Sequence, residues 1–448
     1  MKNYLAKIKE KLPIKIYLLL IFILLAFGFG LLASLKQVGE RSWVPAAIDK
    51  AKIVLGMTKL KEFKGGLSIS TSRYEFETIA KASKTGQYQI TTTDGGNIIA
   101  IERNTGLLLS LTPDKGGYKE TVLSPSVFPK DVEQKTAPDN YPPLVMDLHF
   151  GLNRLLYSLV IKDKDKACQF LGLFEVTLGN PVDKGFGAPV LRFRTPCVSD
   201  NYNTVMWAGR IANNENTIFL SVGEERYDRS GYPKTAIFGA EDLVRARTVF
   251  GKILAFNPSS YSYTVYSMGH RNAQGLFWDN EKWQLLESEH GPNGGDELNV
   301  IVQGGDYGWP AVMLGKPYPT LYPSGLPELN DSKNPSTGVD LKPERKGLLS
   351  GTHDGYIPPL MSWSPGVGVG QILKVSSKSP LKDWRGDILA ATMGETNLHR
   401  LKLYKGAVMM DENVDVGVRI RDILLLSNGD MAVSLDEGTL FILQVPKI

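Results

Sequence analysis

The segments Gly269–Trp278, GHRNAQGLFW, and Glu287–Pro310, ESEHGPNGGDELNVIVQGGDYGWP, put strand-like runs, turn glycines and polar side chains into one short span. The alternating run from Ile253 to Tyr266 predicts that Arg271 and Asn272, just after His270, fall where a strand ends and side chains project beyond its sheet. Arg271 offers a rigid five-donor fork suited to carboxylates, and Asn272 brings a donor and an acceptor. The turn from Gly291 to Gly295 frees backbone carbonyls, because Pro292 cannot donate and the glycines allow unusual dihedrals. Beside Asp296 and Glu297, such carbonyls are the hard oxygen ligands that calcium prefers. Taken singly, each feature has a plain reading as a strand end, a hairpin turn or solvated acids. Their order within one span points to a built site.

Outward from this span, the chain from Gly66 on is a succession of short apolar runs separated by Gly, Asn, Asp and Pro turns. NIIAIERNTGLLLSL, NTIFLSVGEE, FGKILAFNPSSYSYTVYS, GDILAATM, NLHRLKLYKG and DMAVSLDEGTLFIL are examples. Period two repeated this often predicts an all-β domain of many short strands. Such chains protect their sheet edges by closing as a barrel, a double sheet or a propeller, and periodicity alone does not choose among these. Between Met313 and Pro359 a Pro-, Gly- and Ser-rich stretch lacks periodicity and reads as a long excursion from the domain.

The composite of GHRNxQGL, then E-[QH]-GP-xxxDE-[IL]-N-x-[IL], then G-x-[ND]-YGWP resembles the glucose/sorbosone dehydrogenase family, quinoprotein sugar dehydrogenases that use pyrroloquinoline quinone (PQQ) and calcium. A weaker likeness extends over roughly residues 90 to 445, including Asn203–Gly223, Phe250–Asn257 and VRIRDILLLSNGDMAVSLDEGTLFIL. The resemblance implies a six-bladed β-propeller over residues 66–448. It implies that Arg271, Asn272 and His290 contact PQQ, and that the carbonyls of Gly291 and Pro292 hold the calcium. Arg419 and Arg421 match a family Arg-x-Arg pair, on alternate positions that share one face of a strand. Trp363 matches an aromatic lining the sugar pocket, with a core tryptophan as the plain reading. Glu297 and Tyr307 match positions linked to a second, structural calcium.

The departures lie on the reactive side. Where the family places a catalytic His before x-[GSA]-G-R-[LI], this chain reads MWAGRI, so the position is Met206. A thioether cannot accept the sugar hydroxyl proton, and a missing general base costs about 10²- to 10⁴-fold in rate. The family's cofactor-contacting Lys aligns with Gly394, and the Tyr preceding the pocket Trp aligns with Leu360. His290, or His353 from the excursion, is a candidate substitute base.

Residues 16–35 form a run without charge, long enough to cross a bilayer as a helix. Five lysines precede it, which predicts residues 1–15 as a cytoplasmic tail, 36–65 as a juxtamembrane stalk with helical pattern, and the rest on the periplasmic or extracellular side. A cleaved signal peptide is the competing reading; the length of the run favours an uncleaved anchor. Cys168 and Cys197 both fall in the exported part, as a disulfide or as two buried thiols. A net charge of +4 without a basic stripe gives no support for nucleic-acid binding. Two main functions remain open: a membrane-anchored sugar oxidoreductase that passes electrons to an acceptor, its activity altered or lost, or a non-catalytic propeller that binds saccharide, calcium or a protein partner. A weaker third is a cell-envelope assembly or polysaccharide-handling protein.

Overall fold

In the computed structural model the chain divides into two units, Met1–Ser68 and Ile69–Ile448. The structure describes residues 77–84, 86–129, 143–163, 168–177, 187–199, 206–224, 248–315, 349–436 and 438–444. The expected membrane segment and stalk, residues 16–65, lie outside these. Among the described residues no helix is long and apolar enough to cross a membrane.

Strand β1 (Glu77–Lys81) is followed by six sheets. The first holds β2 (Tyr88–Thr92), β3 (Ile98–Glu102), β4 (Leu108–Asp114) and β5 (Gly117–Ser124). The second holds β6 (Leu144–Gly151), β7 (Arg154–Asp163), β8 (Cys168–Val176), β9 (Val190–Arg194) and β10 (Val198–Ser199). In the third, β11 (Ala208–Asn213), β12 (Ile218–Val222), β13 (Lys252–Phe256) and β14 (Tyr263–Met268) are extended by a later strand, β18 (Gly305–Asp306). The fourth holds β15 (Ala273–Asp279), β16 (Gln284–Glu289), β17 (Asp296–Ile301) and β21 (Met361–Trp363). Short strands β19 (Val312–Met313) and β20 (Leu349–Ser350) pair in parallel, so the two ends of the aperiodic excursion meet. The fifth sheet holds β22 (Val369–Lys374), β23 (Ile388–Thr392), β24 (Asn397–Tyr404) and β25 (Ala407–Asp415). The sixth is β26 (Ile420–Leu425), β27 (Met431–Leu435) and β28 (Leu440–Gln444), completed by β1, with Glu77 opposite Gln444. The first strands of the six sheets, β2, β6, β11, β15, β22 and β26, neighbour one another in a closed circuit. The fold is a six-bladed β-propeller, as the resemblance implied.

Six apolar clusters fill the spaces between consecutive blades, for example Leu171, Leu220 and Leu254 between the second and third. Fully burying each such side chain contributes about 1.5–3 kcal/mol. Middle strands are covered on both faces, which explains the unbroken apolar texture of IIAIE, IFLSV and ILAAT. Outer strands such as β14 and β25 keep exposed positions, and there the expected mixture of apolar and polar residues holds.

Cys168 and Cys197 are joined by a disulfide, with Cα atoms 5.7 Å apart. It ties β8 to the edge strand β10. Replacing both with Ser is expected to cost on the order of 3 kcal/mol, read as a lower denaturant midpoint that reductant no longer shifts.

At the axis the polar groups of the inner strands meet on Arg210 of β11. Its guanidinium donates to Gln89 Oε1 at 2.9 Å, Asp147 Oδ1 at 3.0 Å and the Gln274 carbonyl at 2.7 Å. It also reaches the Arg421 carbonyl at 3.3 Å and Asp422 Oδ1 at 3.5 Å. One side chain thereby links β2, β6, β15 and β26 to its own strand. Asp147 and Asp422 accept in addition from the backbone N–H groups of Ile211 and Ile90.

Candidate functional site

The loop from β14 to β15 and the turn from β16 to β17 meet at one mouth of the ring. His270 N–H donates to the Gly251 carbonyl and Glu224 N–H to the Arg271 carbonyl, which fixes the loop against the third blade. Across the fourth blade, His290 N–H donates to the Asn272 carbonyl. One Nη of Arg271 donates to the carbonyls of His290, at 2.7 Å, and Gly291, at 3.1 Å. Asp296 clamps the turn: Oδ1 accepts from Gly291 N–H at 3.1 Å, while Oδ2 accepts from Gly368 N–H at 2.6 Å and Val369 N–H at 3.2 Å. Gly291 is required by space, since a Cβ there would come within 2.2 Å of the Gly294 carbonyl oxygen.

These groups line a cavity of about 430 Å³, with Met206, Arg271, His290, Gly291, Pro292, Asp296 and Gly368 in its wall. That size lies within the usual range of small-molecule sites. His290 Nε2 meets the Val369 carbonyl at 2.8 Å, so that nitrogen carries the proton and Nδ1 the lone pair. Burial pushes the His290 pKa down, and Arg271 and Arg421 add to this against the opposing pull of Asp296. The imidazole is therefore neutral at neutral pH. Met206 is buried in the wall. Its carbonyl packs on Gly223, where a Cβ would lie 1.5 Å from the Met206 oxygen. Gly223→Ala is therefore expected to shift residue 206 and to cost at least about 1–3 kcal/mol, seen as a lower melting temperature.

The remaining candidate residues separate into groups. Asn272 is buried, accepts from Gln274 at 2.9 Å and does not line the cavity. Arg419 and Arg421 both reach the carboxylate of Asp436, a partner not singled out from sequence. Arg421 influences His290 electrostatically, but neither arginine is part of the cavity wall. Trp363 is buried between the fourth and fifth blades, and its indole N–H donates to Asp411 at 3.0 Å. It is outside the cavity wall, and Leu360 packs in the same apolar cluster. Gly394 abuts the Val367 carbonyl, 2.6 Å from where a Cβ would stand, so no side chain fits there without backbone movement. Glu297 and Tyr307 line a second, small cavity of about 20 Å³ together with Arg271, Glu289 and Gly291. His353 bonds Glu297 at 2.9 Å and is not in the wall that holds Met206, whereas His290 is. The loop from Pro365 to Gly368 was not singled out from sequence; the SPGVG turn directly after Trp363 was its only signal.

The family profile described as Glucose / Sorbosone dehydrogenase matches residues 196–443, more than half of the chain. The chain belongs to the glucose/sorbosone dehydrogenase family. Among curated relatives, an aldose sugar dehydrogenase of Escherichia coli (strain K12) is 28% identical over 252 residues, 53% of this chain and 59% of that protein. Quinoprotein glucose dehydrogenase B of Acinetobacter calcoaceticus is 54% identical over 65 residues, 14% of this chain and 13% of that protein. An uncharacterised protein of Synechocystis is 26% identical over 306 residues, 64% of this chain and 62% of that protein. The matches thus span at most about three-fifths of these relatives' lengths. The apo-form of the soluble aldose sugar dehydrogenase from Escherichia coli has the same fold, with a TM-score of 0.64 at 19% identity over 84% of this chain and 99% of that one. The PQQ-bound aldose sugar dehydrogenase from Streptomyces coelicolor aligns with a TM-score of 0.57 at 17% identity over 85% of this chain and all of that one.

Proposed function

We propose that this glucose/sorbosone dehydrogenase family member binds PQQ and calcium at the propeller mouth and oxidises an aldose, at a rate lowered by Met206. One observation carries the reading: Arg271, His290, Gly291, Pro292 and Met206, drawn from separate segments, share the wall of a single cavity. The donor set fits such a ligand. Arg271 supplies a cation for a carboxylate, and the Pro292 carbonyl accepts no hydrogen bond among the described residues. The Gly291 carbonyl accepts from Arg271, and its second lone pair would be open to a calcium ion. Bound PQQ would supply the oxidant that takes a hydride equivalent from the sugar carbon. The chain's own residues must hold the sugar and accept the hydroxyl proton. Met206 cannot accept it. The neutral imidazole of His290, in the same wall, is the available base, and its Nε2 is already committed to Val369.

The test is to add PQQ and calcium to the full chain, follow the PQQ absorbance, and then follow dye reduction with a panel of aldoses. A spectral change with slow, sugar-dependent reduction is expected. No spectral change and no reduction would end the enzymatic reading. The Met206 position favours a second reading, a non-catalytic saccharide-binding propeller, which is distinguished by sugar binding without any dye reduction.

The proposal includes export, with residues 16–35 as an uncleaved anchor and electrons passing to an acceptor on the same side. The disulfide is compatible with an oxidising compartment. Recovery of the chain in a soluble fraction, trimmed at its N-terminus, would exclude the anchor.

A further inference from the structure

We propose that His270, Glu287 and Glu289 ligate a buried divalent transition-metal ion, at a site separate from the Gly291–Pro292 carbonyls. Glu287 and Glu289 occupy alternate positions of β16 and so share a face of the fourth blade. Their register partners on β17 are Asn299 and Glu297. Two carboxylates therefore stand directly opposite each other, and a third follows one rung along. The face is not solvated: Glu287 is 0% exposed, Glu289 4% and His270 1%. One ligand atom from each of His270, Glu287 and Glu289 lies within 4.8 Å of the others.

The partners around this cluster leave it short of positive charge. The amide of Asn299 serves Glu287 at 3.0 Å and both Glu289 and Glu297 at 3.4 Å. Glu289 Oε2 accepts from Arg271 N–H, and Glu297 Oε1 meets His353. Among the described residues, no Lys or Arg side chain pairs with any of the three carboxylates. Burying a carboxylate without a counter-ion costs several kcal/mol; Glu297 has His353 beside it, whereas Glu287 and Glu289 have only the Asn299 amide and the Arg271 N–H. Glu287 Oε1 has no hydrogen-bond partner, and neither has His270 Nδ1, which faces Glu289 Oε1 at 3.5 Å.

His270 is held in the form a ligand needs. Nε2 meets Ser267 Oγ at 2.8 Å, and the ring stacks on Tyr307 at 4.8 Å. With the proton on Nε2, Nδ1 presents its lone pair to the carboxylates, a common outer-shell arrangement for a metal-binding His. The neighbouring cavity of about 20 Å³, lined by Glu289 and Glu297, admits about one water as a further ligand. One imidazole and two carboxylates in so confined a space suit zinc, manganese or cobalt. Calcium, which gathers six to eight oxygens, is not suited.

The test uses the full chain after chelator treatment, titrated with Co²⁺ as a spectroscopic probe and with Zn²⁺ for stoichiometry. The expected result is one tightly held ion, visible Co²⁺ absorption that Zn²⁺ quenches, and a melting temperature that chelation lowers and Zn²⁺ restores. Glu287→Gln keeps the shape and the Asn299 contact and is expected to weaken uptake by at least about 100-fold, as is His270→Gln. No uptake by the wild-type chain overturns the proposal whatever the variants do. So does uptake that both variants retain, or displacement of Co²⁺ by a small excess of Ca²⁺. None of these measurements uses PQQ or a sugar, so the outcome is independent of the oxidation reading.

Discussion

Met206→His raises sugar-dependent dye reduction by about 10²- to 10⁴-fold in the chain loaded with PQQ and calcium. The expectation follows from position: residue 206 stands in the cavity wall with Arg271 and His290. An imidazole placed there is buried, which favours its neutral, proton-accepting form. The gain falls on kcat rather than KM, because the base acts on the reacting hydroxyl and adds no ground-state contact. Activity of the variant is lost as pH falls through the pKa of the new imidazole. That limb is absent from a Met206→Gln control, which also shows no gain. PQQ bound to Met206→His without faster turnover would refute the assignment of this position as the missing base.

Arg210→Met is expected to destabilise the propeller by about 3–5 kcal/mol, the cost of leaving buried charge without its partner. Asp147 and Asp422 are buried against this guanidinium, and the same side chain joins its own blade to four others. Converting both aspartates to Asn in the Arg210→Met background should recover much of the loss in a denaturant titration. The wild-type axis also carries a pH signature. Burial raises the Asp147 and Asp422 pKa values despite the opposing pull of Arg210, with Asp422 pushed up to about 7. The folded state therefore binds these protons more tightly than the unfolded chain. The associated stability is fully present below about pH 4 and is lost as pH rises toward 7. Asp422→Asn should flatten the melting temperature over that window. An unchanged slope would show that Asp422 is not the group responsible.

Strand identity was legible in local texture because a strand's two faces are written into neighbouring residues. FGKILAFNPSSYSYTVYS became β13 and β14, and DMAVSLDEGTLFIL became β27 and β28. The number of blades came from the family resemblance, since closure depends on pairs such as Glu77 with Gln444 that no local pattern records. The turn at Gly291 and the substitution at Met206 were readable from motif order, and both lie in the cavity wall. Arg210 passed unnoticed because its five partners are scattered along the chain. Glu287 and Glu289 look like the solvent face of an ordinary strand. Only the packing of the third blade against the fourth makes that face dry.

The pairing of β1 with β28 sets a timetable for biosynthesis. The ribosome makes β28 roughly 20–70 s after β1 at ordinary rates of translation. Through that interval the nascent ring is an open arc with two unpaired strand edges, so chaperone demand should peak late. A message truncated just before the codon for Leu440 would yield a product that cannot shut and that aggregates through those edges.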